Sequence, residues 1–189
     1  MTRPILRNSI LLAVLLYAFT TFLSAQKLTT LYSFAGSDGA HPDAGLVQGS
    51  DGNFYGTTEF GGANNGNGTV FKITPSGALT TLYDFAGSDG FEPQAGLVQG
   101  SDGNFYGTTT GGGANNGKGT VFKITPSGAL TTLYSFAGSD GAFPQAGLVQ
   151  GSDGNFYGTT AGGGTDFAGT VFRLGVVRPC ATCRPVSPR

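Results

Sequence analysis

A repeat of 51 residues constrains this chain more than any other feature. Residues 28–78 read LTTLYSFAGSDGAHPDAGLVQGSDGNFYGTTEFGGANNGNGTVFKITPSGA, and residues 79–129 repeat them with seven differences. A third copy starts at Leu130, loses one residue near Ala168 and leaves the pattern after Leu174. Equivalent glycines fall at Gly45, Gly96 and Gly147. A period of this size means a supersecondary unit stacked on copies of itself. The likeness lies within one chain and indicates duplication.

Composition narrows what the unit can be. Glycine is 34 of 189 residues, and a helix-interior glycine costs ~1 kcal/mol relative to alanine, so a helical bundle is excluded. Glycine has no three-residue period, which excludes collagen. A hydrophobic content of 39% and a net charge of −1 do not suit a self-repelling disordered chain. What remains is an all-β protein with many turns.

Each unit carries four short strand candidates bounded by turn residues. In the second unit these are Leu79–Phe85, Gly96–Gln99, Asn104–Thr109 and Gly119–Thr125. Ser101-Asp102-Gly103 and Pro126-Ser127-Gly128 supply tight turns, since Asp tolerates the turn and Gly accepts positive φ. Val121, Phe122 and Ile124 cannot all point one way, so the sheets have two buried faces, as stacked sheets do. Four antiparallel strands in ~50 residues match a β-propeller blade, whereas one-coil solenoids use ~20–30 residues per turn. A stacked β-sandwich or another all-β array is the rival. The strand at Leu28–Phe34 precedes the first GLVQ strand, so each blade is expected to be completed by a strand from the neighbouring unit.

The expected fold is thus a propeller-like array of three 51-residue, four-stranded blades. Closed propellers typically hold 4–8 blades. Three blades make an incomplete ring or half of a six-bladed ring, which a homodimer would close. The alternative is a fragment, or a shortened member, of a longer repeat family.

The flanks carry an address. Arg3 and Arg7 precede an uncharged, mostly apolar run over residues 10–23, too short for a membrane span and long enough for a signal-peptide core. Cleavage is expected after Ala25, making 1–25 a signal peptide; an uncleaved anchor is the alternative. Export to the periplasm, the outside or the cell surface follows, with no membrane span in the remainder. Repeats then occupy 28–78, 79–129 and 130–174, and 175–189 is a Pro- and Arg-containing tail.

The unit, above all AGLVQGSDGNFYGTT followed by GTVFKITPSGALTTLYSF, resembles the GloVer tandem repeat of exported bacterial "choice-of-anchor" repeat proteins. The likeness covers residues 28 to about 174. It implies a secreted or surface-displayed propeller-like protein, and it implies no catalytic residues. The tail VVRPCATCRPVSPR resembles no anchor of that family.

Candidate chemistry is sparse. His41 is the only histidine; its equivalents are Glu92 and Phe143. A Ser-His-Asp triad or a histidine zinc site would need partners for it. His41, Glu59 and Glu92 break the repeat symmetry, in what read as separate loops. Asp38, Asp89 and Asp140, and likewise Asp51, Asp102 and Asp153, sit singly in SDG turns, whereas calcium loops need several oxygen ligands at alternating positions. No metal and no cofactor is expected. The glycine- and asparagine-rich segments 61–68 and 111–119 lack the helix that a phosphate loop requires. The sharper reading is that they cluster on one rim, where Asn64, Asn65, Asn115, Asn116 and Asp166 bond a polar ligand such as a glycan. The positions His41/Glu92/Phe143 and Glu59/Thr110/Ala161 would tune each subsite. Cys180 and Cys183 form a lone C-x-x-C, consistent with a local disulfide after export.

Residues 28–174 hold eleven acidic and four basic side chains, a net of −7, which disfavours nucleic acid. The expectation is an exported, non-enzymatic binding module with a polysaccharide or cell-surface partner. Two alternatives stand beside it: a propeller enzyme (lyase or hydrolase) on a sugar or lactone, and a non-functional fragment.

Overall fold

Threonine, valine and aromatic residues pack well on a pleated surface, and each FYGTT and TVFKI segment becomes a five-residue strand. The computed structural model describes residues 26–114 and 117–175. The expected signal peptide, Asn115, Asn116, Cys180, Cys183 and nearly all of the tail lie outside them. The chain divides into units at Thr30/Leu31. Of the first unit only residues 26–30 are described, and they carry no helix or strand.

The second unit holds three antiparallel sheets. The first contains β1 (Val47–Gln48), β2 (Phe54–Thr58), β3 (Thr69–Ile73) and β4 (Leu79–Asp84), in that order. The second contains β5 (Val98–Gln99), β6 (Phe105–Thr109), β7 (Thr120–Ile124) and β8 (Leu130–Ser135). The third contains β9 (Val149–Gln150), β10 (Phe156–Thr160) and β11 (Thr170–Leu174). The described residues contain no helix.

The sheets are staggered against the sequence repeat. β4 and β8 come from the LTTLY segments that open the next unit, so each unit lends its first strand to the blade before it. Val70 pairs with Tyr83 and Phe71 with Thr81, leaving a bulge opposite Leu82; Val121, Phe122 and Leu133 repeat the arrangement. The Leu28–Phe34 segment departs from expectation: it belongs to no sheet. A strand needs a neighbouring ladder to join, and no sheet among the described residues pairs with this segment. On the other side, the third sheet shows three strands among the described residues, because the sequence leaves the repeat after Leu174.

Blades stack through their aromatic residues. Tyr55 of the first blade stacks on Phe105 of the second, ring centroids 3.9 Å apart, and Tyr106 stacks on Phe156 of the third at 4.0 Å. All four rings are buried. Phe85 meets Phe122 edge-on at 5.3 Å. Such pairs contribute about 0.5–1.5 kcal/mol beyond their buried area. Gly49 makes room for the first stack: a Cβ there would lie 2.8 Å from the Tyr55 ring and 3.1 Å from Phe105.

Candidate functional site

The two ends of each blade differ in kind. At one end, the β1–β2 turn is built identically in all three copies. Asp51 Oδ2 accepts from Asn53 Nδ2 at 2.7 Å and from the Tyr55 hydroxyl at 2.8 Å; Asp102 and Asp153 do the same. These bonds hold the Asp51 carboxyl below the usual carboxylate range. Burial, reinforced by that carboxylate, pushes the Tyr55 and Tyr106 phenols up to about 12. Each blade is also tied to the next here. Gln99 Oε1 accepts from Ser50 N, and Gln150 Oε1 from Ser101 N, both at 3.0 Å. Asp51, Asp102 and Asp153 therefore hold the turns, and the Gln–Ser pairs staple one blade to the next.

The opposite end is formed by the β2–β3 loop and the segment after the fourth strand, and here the copies diverge. The seven positions at which units one and two differ are 33/84, 40/91, 41/92, 43/94, 59/110, 60/111 and 67/118. The fold gathers them on this rim. Ala40 bridges Phe60, and Phe91 bridges Gly111. Asn67 and Lys118 sit in the equivalent bridges to Gly61 and Gly112. Asp84 Oδ1 accepts from Ala63 N at 2.9 Å. Gln94 Nε2 reaches back to Glu59 Oε1 of the previous blade at 2.6 Å.

The aromatic residues move within this frame. Blade one pairs Ala40 with Phe60, and blade two pairs Phe91 with Gly111, where a Cβ would collide with the Phe91 ring. Blade three has Ala142 opposite Gly162 and carries its ring next door, at Phe143, with the Lys118 ammonium 5.2 Å from the ring centroid. Phe60, Phe143 and Phe167 are exposed.

His41, Glu92 and Phe143 have φ of 57°, 56° and 58°. A non-glycine residue in that left-handed region costs about 1–2 kcal/mol, and such strain concentrates at functional sites. A chain with 34 glycines thus carries a side chain at this position in all three copies. Beside Glu92, the Thr110 hydroxyl is the one buried side-chain polar atom among the described residues without a hydrogen-bond partner, its residue 8% exposed.

Of the residues singled out in the sequence, Asn64, Asn65 and Asp166 are exposed in these loops. Asn64 Nδ2 donates to Asp84 O at 3.0 Å, so its amide also holds the loop. Asn65 has φ 58°. His41 and Glu59 are not in separate surroundings, as the sequence suggested. Glu59 N donates to His41 O at 2.9 Å, and ligand atoms of His41, Asp43 and Glu59 lie within 4.8 Å of one another. One imidazole nitrogen and two carboxylate oxygens there could hold a divalent cation. Asp43 was missed because alternation of apolar and polar residues does not reveal which loops a bridge joins.

Stacked antiparallel blades with one constant and one variable rim define a β-blade repeat protein. The family model described as the Gloeobacter/Verrucomicrobia repeat matches residues 15–179, and the chain belongs to that repeat family. No curated protein matches it.

Proposed function

We propose that the chain is an exported, non-enzymatic interaction module that presents its variable rim to a neutral glycan. The observation that carries this reading is the confinement of all seven differences between the first two units to one end of the blades. Packing faces, strand register and the opposite turns are kept, while the loops change. Exposed phenyl rings at Phe60 and Phe143 offer flat apolar faces to a sugar ring. Asn65, Gln94 and Glu92 offer polar groups beside them. Glu59, Glu92 and Asp43 make the rim acidic, which favours uncharged over anionic polymers. No helix among the described residues is long and apolar enough to cross a membrane.

Retention of the chain on a panel of insoluble neutral polysaccharides tests the reading. Phe143→Ala and Phe60→Ala should each reduce retention at least severalfold, whereas Ser127→Ala, at the opposite end, should leave it unchanged. Equal retention of all variants would overturn the reading.

A second reading, an enzyme acting on a sugar or lactone, draws on the convergence of His41, Asp43 and Glu59 in blade one. It requires turnover of such a substrate that His41→Ala abolishes.

A further inference from the structure

We propose that this chain assembles head to tail with a second copy of itself, the Leu28–Phe34 segment of each copy becoming the fourth strand of the other copy's third blade. Three independent features converge on this.

The first is a matched surplus and deficit. Residues 28–34 read LTTLYSF, identical to residues 130–136, whose first six form β8. They join no sheet, while β11 is an edge strand among the described residues. The sequence beyond it, VVRPCATCRPVSPR, does not match LTTLYSF and is interrupted by Pro179, Pro185 and Pro188.

The second is that Leu31–Phe34 already sits against blade one as the end of β4 sits against blade two. A Cβ at Gly77 would lie 2.6 Å from Leu31 O, and one at Gly128 would lie 2.7 Å from Leu82 O. Phe34 meets Phe71 edge-on at 5.1 Å, matching Phe85 on Phe122 at 5.3 Å. The Tyr32 hydroxyl donates to Asp38 as that of Tyr83 donates to Asp89. The segment is thus placed as the outer strand of a preceding blade, the position that the third blade of a second copy would fill.

The third is that the two end faces are complementary halves of one repeated interface. Tyr106 is 2% exposed beneath Phe156, but its equivalent Tyr157 is 36% exposed; Val121 is 1% exposed and its equivalent Val171 is 81%. At the other end, an apolar groove of ≈ 390 Å³ runs past Leu31, Phe34, Leu46, Phe54, Phe71 and Leu79. Docking at the internal step would stack Tyr157 on Phe54 of the second copy. Ser152 N would donate to Gln48 Oε1 there, as Ser50 and Ser101 donate to Gln99 and Gln150. Because the repeated interface is itself the template, the occupant is a copy of this unit rather than an unrelated apolar partner. Two copies give six blades, within the ~4–8 of closed arrays.

The β7–β8 register transfers to the new pair. It sets Thr170 opposite Ser33, Val171 opposite Tyr32, Arg173 opposite Thr29 and Leu174 opposite Leu28 of the other copy. The chain expressed from its full sequence should elute with twice its monomer mass by light scattering. With Cys180→Ser and Cys183→Ser, a Thr29→Cys/Arg173→Cys pair should form a reducible link between two chains. Thr30→Cys/Arg173→Cys should link far less, because neighbouring strand residues face opposite sides. A monomeric mass would overturn the proposal. So would a link within one chain, no link in a folded dimer, or equal linking by both pairs. Tyr157→Glu should shift the mass to that of the monomer with the β-sheet dichroism retained; a stable dimer of this variant would also count against the proposal.

Discussion

A tyrosine hydroxyl on a turn aspartate recurs twice in every repeat unit, and it sets how the fold responds to pH. Tyr55, Tyr83 and Tyr106 carry phenols pushed up to about 12 by burial and by a neighbouring carboxylate. An unfolded tyrosine titrates near pH 10, so the unfolded chain gives up its proton first. Stability from these groups is therefore complete below about pH 10 and is lost as pH rises towards about 12. The aspartates behave oppositely. Asp51 and Asp153 are held down by hydrogen bonds; at Asp102, burial raises the pKa but Asn104 and Tyr106 outweigh it. Their contribution is complete above about pH 4 and is lost as pH falls below it. Urea midpoints across pH should fall on both limbs, and Tyr55→Phe with Tyr106→Phe should flatten the alkaline one. The left-handed rim residues give a separate expectation. Glu92→Gly relieves about 1–2 kcal/mol of strain against about 0.5–1 kcal/mol of glycine entropy. Its unfolding free energy should rise by roughly 0.5–1 kcal/mol while glycan retention falls. A residue there for stability alone would show the reverse.

Among the strands, position in the stack matters more than sequence. Val121 and Val171 share the segment GTVF, yet one is enclosed and the other bare. Phe122→Ala, inside the stack, should cost about 3–5 kcal/mol in urea unfolding; Val171→Ala should cost under about 0.5 kcal/mol in a variant held monomeric by Tyr157→Glu. Much of this level was legible beforehand. The FYGTT and TVFKI segments announced strands by their threonine, β-branched and aromatic content, and SDG and PSG announced the turns. The loan of LTTLY to the preceding blade was readable from its place ahead of GLVQ. Less legible were the strands at VQ, which stop after two residues where Gly49 and Gly100 enter the tight turn, Gly49 N donating to Asn53 O and Gly100 N to Asn104 O. The rim was half visible. Substitutions between copies marked His41 and Glu59, but only the Ala40–Phe60 bridge, a contact between loops distant in sequence, brought Asp43 to the same place.

At the scale of the molecule, one end of each blade is a repeated structural solution and the other is where the copies differ. Asn53, Ser50 and Gln99 bind turns and neighbouring blades; His41, Glu92, Phe143, Phe60 and Thr110 bind little of the fold through their side chains. If that division is functional, the rim can be rewritten without loss of the array. The most direct measurement is polysaccharide retention of a chain whose first unit carries the second unit's residues at all seven differing positions, with its free energy of unfolding in urea recorded alongside. The expected result is an unfolding free energy within about 1 kcal/mol of the parent and a severalfold change in retention on at least one neutral polysaccharide. A folded chain with unchanged retention throughout the panel would contradict it.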